Sequence, residues 1–348
     1  MNFENVCVES ITYHLPENIV SSTDIEKRLY PVYDRLKLPY GRLEMMSGIK
    51  ERRFWNKGAF PSQVSSIAGE KAIVQSGIDR SDIGCLICAS VCRDFLEPAT
   101  ASVIHNNLKL SSDIQLFDVS NACLGVLNGM IIVANMIENG QIKAGLIVSG
   151  ENGGPLVDST IKDLIADTTL TRSSVKLAFA SLTIGSGAAA VLLTHKNLSK
   201  NKHKLLGGAS MAATQHNDLC RGSEDSGVHS GKSPLMKTDS ETLMKEGCKL
   251  SGATWRKTKE EIGWSNETPA HVFCHQVGRA QRKLMYDTVQ LDMVKDFSTL
   301  EFLGNIGSAS LPTTFGMGIE QVKPNPGDKL ALLGIGSGLN CLMLGVEW

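Results

Sequence analysis

Cys123 lies in DVSNACLGVLNGM, where an extended apolar run, DIQLFDVS, gives way to a helix-like run, LGVLNGMIIVANMIE. A thiol at a helix start meets unpaired amides and the positive end of the helix dipole, which favour the thiolate and hence nucleophilic attack. Two further residues follow strand-like runs: His275 in VFCHQVGRAQ and Asn305 in LGNIGSASLP. A histidine can hold or relay a proton, and an asparagine amide acting with glycine-loop amides can stabilise an oxyanion. Each alone has a bland counterpart: a core thiol, a satisfied structural histidine, a turn asparagine. Three such residues at three strand ends can converge on one edge of a sheet, which is an arrangement for covalent catalysis.

Two other motifs invite misreading. Gly334-Ile335-Gly336-Ser337-Gly338 follows a strand-like run, but its third glycine comes too early for a dinucleotide fingerprint and only ten residues remain after it. Such a loop suits a close approach of backbone amides to a reacting atom. Cys85, Cys88 and Cys92 outline a metal knuckle. A CxxC inside the strand CLICASV points its sulfurs to opposite faces, and no Cys/His pair follows at finger spacing, so these read as core cysteines and no metal is expected.

The elements that must position these residues are short apolar runs separated by helical segments: CLICASV, IQLFDVS, AGLIVSG, AAAVLLT, HVFCHQV and KLALLGIG. Runs apolar on both faces are the mark of strands in a covered sheet, so the fold class is α/β. The helix PSQVSSIAGEKAIVQSG stops at Gly77, and the one after Cys123 stops at Gly140. The second is apolar nearly all round and must be buried. From about His195 to Glu246, HKNLSKNKHK and QHNDLCRGSEDSGVHSGKSP read as a connection and an insertion, leading into the amphipathic helix TDSETLMKEGCKLSGATW. A division near residue 195 gives two α/β halves, 1–195 and 196–348, each with a strand followed by a small-residue turn, SNACLG and LGNIGSAS.

Composition narrows the function classes. With 35 basic and 36 acidic residues in 348, no charge excess favours nucleic acid or an anionic membrane surface. Nine scattered cysteines lack the spacing of a secreted disulfide framework, which points to a reduced, cytoplasmic protein. The start MNFENVCVES has no signal-peptide pattern, and no run reaches the ~20 apolar residues of a membrane span.

The ordered landmarks SGIKERRFW, DVSNACLG, VFCHQVGRAQRK, LGNIGSASLP and GIGSGLN extend over essentially the whole chain. In them the sequence resembles the thiolase superfamily, in its 3-oxoacyl-acyl carrier protein synthase III branch. CRDFLEPATA, SNACLGVLNGM and GIGSGLNCLMLGVEW look most like OleA-type enzymes, which condense two long acyl-CoAs head to head. The resemblance implies a five-layered αβαβα sandwich of two similar halves and a homodimer. It implies that Cys123 takes the first acyl group as a thioester, while His275 and Asn305 hold the second thioester carbonyl and stabilise its enolate. The amides of Cys123 and Ser337 form the other oxyanion hole. Acyl-CoA or acyl-acyl carrier protein is then the partner, with coenzyme A thioesters as substrates and no tightly bound cofactor.

Departures from the synthase III pattern sharpen the reading. Glu97 stands where that family shows an aromatic residue reaching across the dimer. A decarboxylating enzyme needs no base there, because loss of carbon dioxide generates the enolate; joining two simple acyl thioesters requires removal of an α-proton. The bland alternative is that Glu97 caps the helix beginning near Thr100. The Trp and Arg that clamp coenzyme A in typical synthase III enzymes fall at Arg42 and Met46, so the clamp is not carried over. By charge, Arg42, Lys50 and Arg52 are the candidate phosphate partners. A decarboxylating synthase III that initiates fatty acid synthesis and a non-catalytic thiolase-fold binding protein are the competing functions.

Overall fold

The structure is a computed structural model, which describes residues 1–222, 234–275 and 277–348; the tip of the segment read as an insertion, 223–233, lies outside the described residues. Ten strands form the main sheet: β1 Val6–His14, β2 Ile83–Cys88, β3 Gln115–Asp118, β4 Ala144–Glu151, β5 Gly187–His195, β6 Lys204–Ala212, β7 His271–Cys274, β8 Asp296–Phe297, β9 Lys329–Gly336 and β10 Asn340–Glu347. Their spatial order is β8-β7-β9-β10-β6-β1-β5-β4-β2-β3. Read outward from the centre, β1-β5-β4-β2-β3 and β6-β10-β9-β7-β8 are the same arrangement used twice. In each group two neighbouring pairs are antiparallel and two parallel, so four strands run one way and one, β5 or β10, runs the other. The groups are joined through the single residue pair Cys7↔Lys204.

Strand parity sorts side chains into layers, since successive residues face opposite sides. In β9, Leu330 and Leu332 enter the central cluster, whereas Ala331 and Leu333 enter an outer one. In β2, Cys85 faces the centre and Cys88 the opposite outer layer, which separates their sulfurs as the strand reading required. Among the described residues no group of His, Cys, Asp or Glu is arranged to hold a metal ion.

Six helices complete the layers. Helices α1 Pro61–Ser76 and α2 Thr100–Leu108 cover the outer face of the first group. Helices α4 Ser240–Ile262 and α5 Arg279–Val289 cover the outer face of the second. Between the groups lie α3 Gly125–Glu138 and α6 Ser310–Val322, so the stack is αβαβα. The apolar circumference of α3 is explained by that central place: Val126, Leu127, Val133, Ala134 and Ile137 are all sealed from water. The helix packs closely on β4, because a Cβ on Gly129 would come within 2.7 Å of Ile147 Cγ2. It ends at Glu138, with Gly140 in the left-handed conformation, and α1 ends before left-handed Gly77.

One part of the sequence reading is corrected. The stretch after His195 is not connection throughout, for Lys204–Ala212 is β6, the innermost strand of its group, beside β1. Its sequence, KLLGGASMA, hides the strand because Gly207 and Gly208 dilute the apolar pattern. Both glycines have positive φ and lie against backbone, Gly207 on the Met1 carbonyl and Gly208 on the Met343 carbonyl, where a Cβ has no room. Strands β1, β8 and β10 are also additional to the six runs read from sequence.

Leu127, buried in the central layer, provides a test of this architecture. Leu127→Ala is expected to lower unfolding stability by about 2–5 kcal/mol, read from the urea midpoint. Val294→Ala, at a position 83% exposed, is expected to stay within about 0.5 kcal/mol of wild type.

Candidate active site

Cys123, His275 and Asn305 each follow the C-terminal end of a parallel strand, the usual site-bearing edge of an α/β sheet. After β3 the chain makes a tight turn, Leu124 N donating to the Asn121 carbonyl at 2.9 Å, with Ala122 at φ 45°. A left-handed non-glycine residue costs on the order of 1 kcal/mol and marks a turn held by its surroundings. Cys123 stands in this turn, two residues before α3 starts at Gly125.

Glycines let three segments close around it. The Cys123 amide nitrogen lies 3.5 Å from where a Cβ on Gly336 would be, and a Cβ on Gly334 would lie 2.7 Å from Leu124 Cδ2. The turn after β9, which contains Ser337, is tied across by Asn340, whose Nδ2 donates to the Ser337 carbonyl at 3.4 Å and to Asn121 Oδ1 at 3.5 Å. On another side, Ser308 Oγ accepts from Val126 N at 3.0 Å, and a Cβ on Gly125 would lie 2.7 Å from that oxygen. The turn bearing Asn305 is thereby fastened to the start of the cysteine helix.

Asn305 itself is clamped by backbone. Its N–H donates to the Thr183 carbonyl at 3.1 Å, and its carbonyl accepts from Gly185 N at 2.9 Å. Its Oδ1 accepts from Gly307 N at 3.0 Å, which fixes the amide's orientation. His275 follows β7 and is only 1% exposed, its N–H donating to the Leu333 carbonyl of neighbouring β9 at 2.9 Å. Neither ring nitrogen has a hydrogen-bond partner among the described residues.

Burial governs the ionisation of this group. It draws His275 from 6.5 down to about 4, so the imidazole is neutral near pH 7. It pushes the Cys123 thiol up to about 12, with the Glu151 carboxylate and then Cys220 adding to the rise. The thiolate-favouring helix start anticipated from sequence is outweighed here by desolvation and by Glu151, and Cys123 rests as a thiol.

Sequence reasoning missed Glu151, the last residue of β4. It is 4% exposed, and its Oε1 accepts from Val91 N at 2.9 Å and Ser308 N at 3.1 Å, while Oε2 accepts from Cys92 N at 3.1 Å. Burial raises its carboxyl above the ordinary value, partly offset by those amides. The available signal was a carboxylate closing an otherwise apolar run, AGLIVSGE.

The remaining candidates lie elsewhere. Arg52 is wholly buried, donating to Ser22 Oγ at 3.0 Å and the Leu182 carbonyl at 3.1 Å, and burial lowers it to about 10. It therefore fails as a phosphate partner, since no ligand reaches it. Lys50 is exposed but paired with Glu301. Arg42 is half-buried, its guanidinium 5.7 Å from the Phe179 ring centroid.

Glu97 is exposed, on the loop between β2 and α2. It does not cap α2: the amides of Thr100 and Ala101 donate instead to the two oxygens of Asp118, each at 2.8 Å. The loop is pinned at Val91 and Cys92 by Glu151, and at Asp94, whose Oδ1 accepts from Ser62 N at 2.9 Å. The arc beyond carries exposed Phe95 and Leu96, with Phe95 5.7 Å from the Phe60 ring.

Known proteins match this chain along its length. Residues 117–213 match the 3-oxoacyl-[acyl-carrier-protein (ACP)] synthase III family, and residues 260–348 its C-terminal region. The acyl-CoA:acyl-CoA alkyltransferase of Shewanella oneidensis is 43% identical, with the whole of both chains covered. Its namesake in Xanthomonas campestris is 36% identical, again over the whole of both. A solved structure of a cysteine-to-serine variant of Xanthomonas campestris OleA, with bound lauric acid and lauroyl-CoA, superposes with a TM-score of 0.93 at 36% identity, covering 99% of this chain and 100% of that one.

Two measurements probe the geometry. Asp118→Ala is expected to cost about 1–2 kcal/mol through loss of the α2 cap, whereas Glu97→Ala leaves thermal stability unchanged; equal effects would return Glu97 to a capping role. His275 binds a proton more readily unfolded, at 6.5, than folded, at about 4. Stability is therefore complete above pH 6.5 and falls as pH drops toward 4, by as much as about 3 kcal/mol. His275→Asn is expected to flatten that part of the acid-unfolding profile.

Proposed function

The chain belongs to the 3-oxoacyl-[acyl-carrier-protein] synthase III family, among its acyl-CoA:acyl-CoA alkyltransferases, and on that premise we propose that it joins two fatty acyl-CoAs head to head. Cys123 attacks the first thioester; its sulfur–carbonyl bond forms, the bond to the coenzyme A sulfur breaks, and the thiol proton leaves with coenzyme A. Neutral His275 is the group suited to relay that proton. The amides of Cys123 and Ser337 stabilise the oxyanion formed at the first carbonyl.

The second acyl-CoA then enters, and its thioester carbonyl is held by His275 and the Asn305 amide. The partner subunit's Glu97 removes an α-proton, and the carbanion attacks the acyl-Cys123 carbonyl. A carbon–carbon bond forms, the Cys123 thioester breaks, and a β-keto thioester or its hydrolysed acid results. A homodimer is part of this reading, since it lets Glu97 serve a neighbouring site.

The observation that carries the non-decarboxylative chemistry is Glu97 itself. Asp118 does the capping, so the Glu97 carboxylate is not needed as a cap on its anchored loop. The bound lauroyl-CoA in the Xanthomonas structure supports the substrate class.

The test is to give the purified protein myristoyl-CoA alone and follow free coenzyme A and product mass. Condensed product is expected from that single substrate, and Glu97→Gln is expected to retain Cys123 acylation while losing condensation. A requirement for malonyl-acyl carrier protein, with release of carbon dioxide, would make it a decarboxylating synthase instead.

A further inference from the structure

Glu151 takes no part in the reaction just described, yet it is a fully enclosed carboxylate at the end of the central strand β4. The three amides that meet it come from two different segments. Val91 N and Cys92 N begin the loop bearing Glu97; Ser308 N belongs to the turn bearing Asn305. The same Ser308 accepts from Val126 N in the first turn of α3, the helix that Cys123 precedes. Gly307 is shaped for this contact: it has φ +58°, and a Cβ there would lie 3.1 Å from Glu151 Oε1.

We infer that Glu151 is a positioning residue for the condensation step, holding with one carboxylate both the loop that presents Glu97 and the turn that presents Asn305. The inference rests on the proposed function for what those two residues do, and on the three hydrogen bonds for how they are held.

The chemistry of the acceptor matters. Two carboxylate oxygens receive three N–H groups, a task for a group with acceptors only. Glutamine has the same shape, but its NH₂ would oppose one of the buried amides, leaving it without a partner. The negative charge also has a local reach. Burial is the main cause that raises Cys123, Cys92 and Cys88, and the Glu151 charge adds to all three; Cys88 also faces Asp118 and Asp94, and Cys220 also acts on Cys123. Glu151 therefore leaves an electrostatic signature on Cys123 that a merely space-filling residue would not.

The experiment compares wild type, Glu151→Gln and Glu151→Asp in the full chain with myristoyl-CoA as the only substrate. Intact-protein mass reads acyl-Cys123, product mass reads condensation, and iodoacetamide labelling of Cys123 is followed against pH. In Glu151→Gln, acylation is expected within about threefold of wild type, while condensation falls about 100-fold through kcat with KM little changed, the scale for a misplacement near 1 Å. Labelling of Cys123 is expected to be faster near neutral pH once the charge is gone, because the thiolate is then less opposed. Glu151→Asp keeps the charge, so it is expected to retain the wild-type labelling profile and recover part of the condensation rate.

Condensation at the wild-type rate in Glu151→Gln overturns the inference, as does an unchanged labelling profile. An equal loss of acylation and condensation overturns it too, since general loosening gives that result. If Glu151→Gln does not fold, hydrogen exchange on wild type reads the same tie: the amides of Val91, Cys92 and Ser308 are expected to open at one common rate, and separate rates refute it. A wild type that makes no condensed product sinks the proposed function, while labelling and exchange still decide the case of Glu151.

Discussion

Withdrawal from water is the constraint on which this site depends. Burial moves three groups toward their neutral forms at once: the Cys123 thiol upward, the His275 imidazole downward and the Glu151 carboxyl upward. A site that rests nearly neutral admits a neutral acyl thioester and its alkyl chain without disrupting ion pairs. Apart from the Glu151 carboxylate, charge then appears only as bonds change, and a low dielectric makes the amides that meet it effective. The same dryness shields a Cys123 thioester from hydrolysis between the two substrates. The cost falls on Glu151, which is why three amides converge on it.

The repeated strand order explains how one edge comes to hold so much chemistry. Cys123 follows β3 and precedes α3; Asn305 follows β8 and precedes α6, the equivalent place in the other group. Glu97 follows β2 and precedes α2; His275 follows β7 and precedes α5. Two copies of one arrangement thus supply four different side chains from only two kinds of loop. The central helices α3 and α6 share the layer between the groups, and the turns at their starts are neighbours, Ser308 Oγ accepting from Val126 N.

The legible parts of the sequence were those whose signal is local. Six strands showed as apolar runs, and two helix ends showed as glycines. Cys123, His275 and Asn305 stood out because their residue types at strand ends are chemically suggestive. What stayed hidden depended on distant partners. Strand β6 was obscured by Gly207 and Gly208, which are needed only because the Met1 and Met343 backbones lie against them. Arg52 carries a charge that suggested the surface, while the fold buries it against Ser22 and the Leu182 carbonyl. Glu151 ended a strand that looked simply apolar. Whether Glu97 was a cap could not be read locally either, since the residue that caps α2 is Asp118, at the end of β3.

Rigidity and exposure meet in the Glu97 loop, and both fit the proposed use of that residue across a dimer. Five bonds from Glu151, Asp94 and Asp118 fix the segments on either side of the arc. An arc with no task would need no such anchoring, and surface loops ordinarily go without it. The arc also exposes Phe95 and Leu96, at 50% and 41%, beside the Glu97 carboxylate, which does not cap α2. Apolar side chains at such a place gain free energy when another surface covers them, and that cover excludes water from any proton transfer made there. A base working on a neighbouring subunit's substrate has to be held in register by its own chain and kept dry by the other. Under the proposed function, the anchored arc around Glu97 would meet the first requirement within one subunit, and its exposed Phe95 and Leu96 would offer the surface for the second.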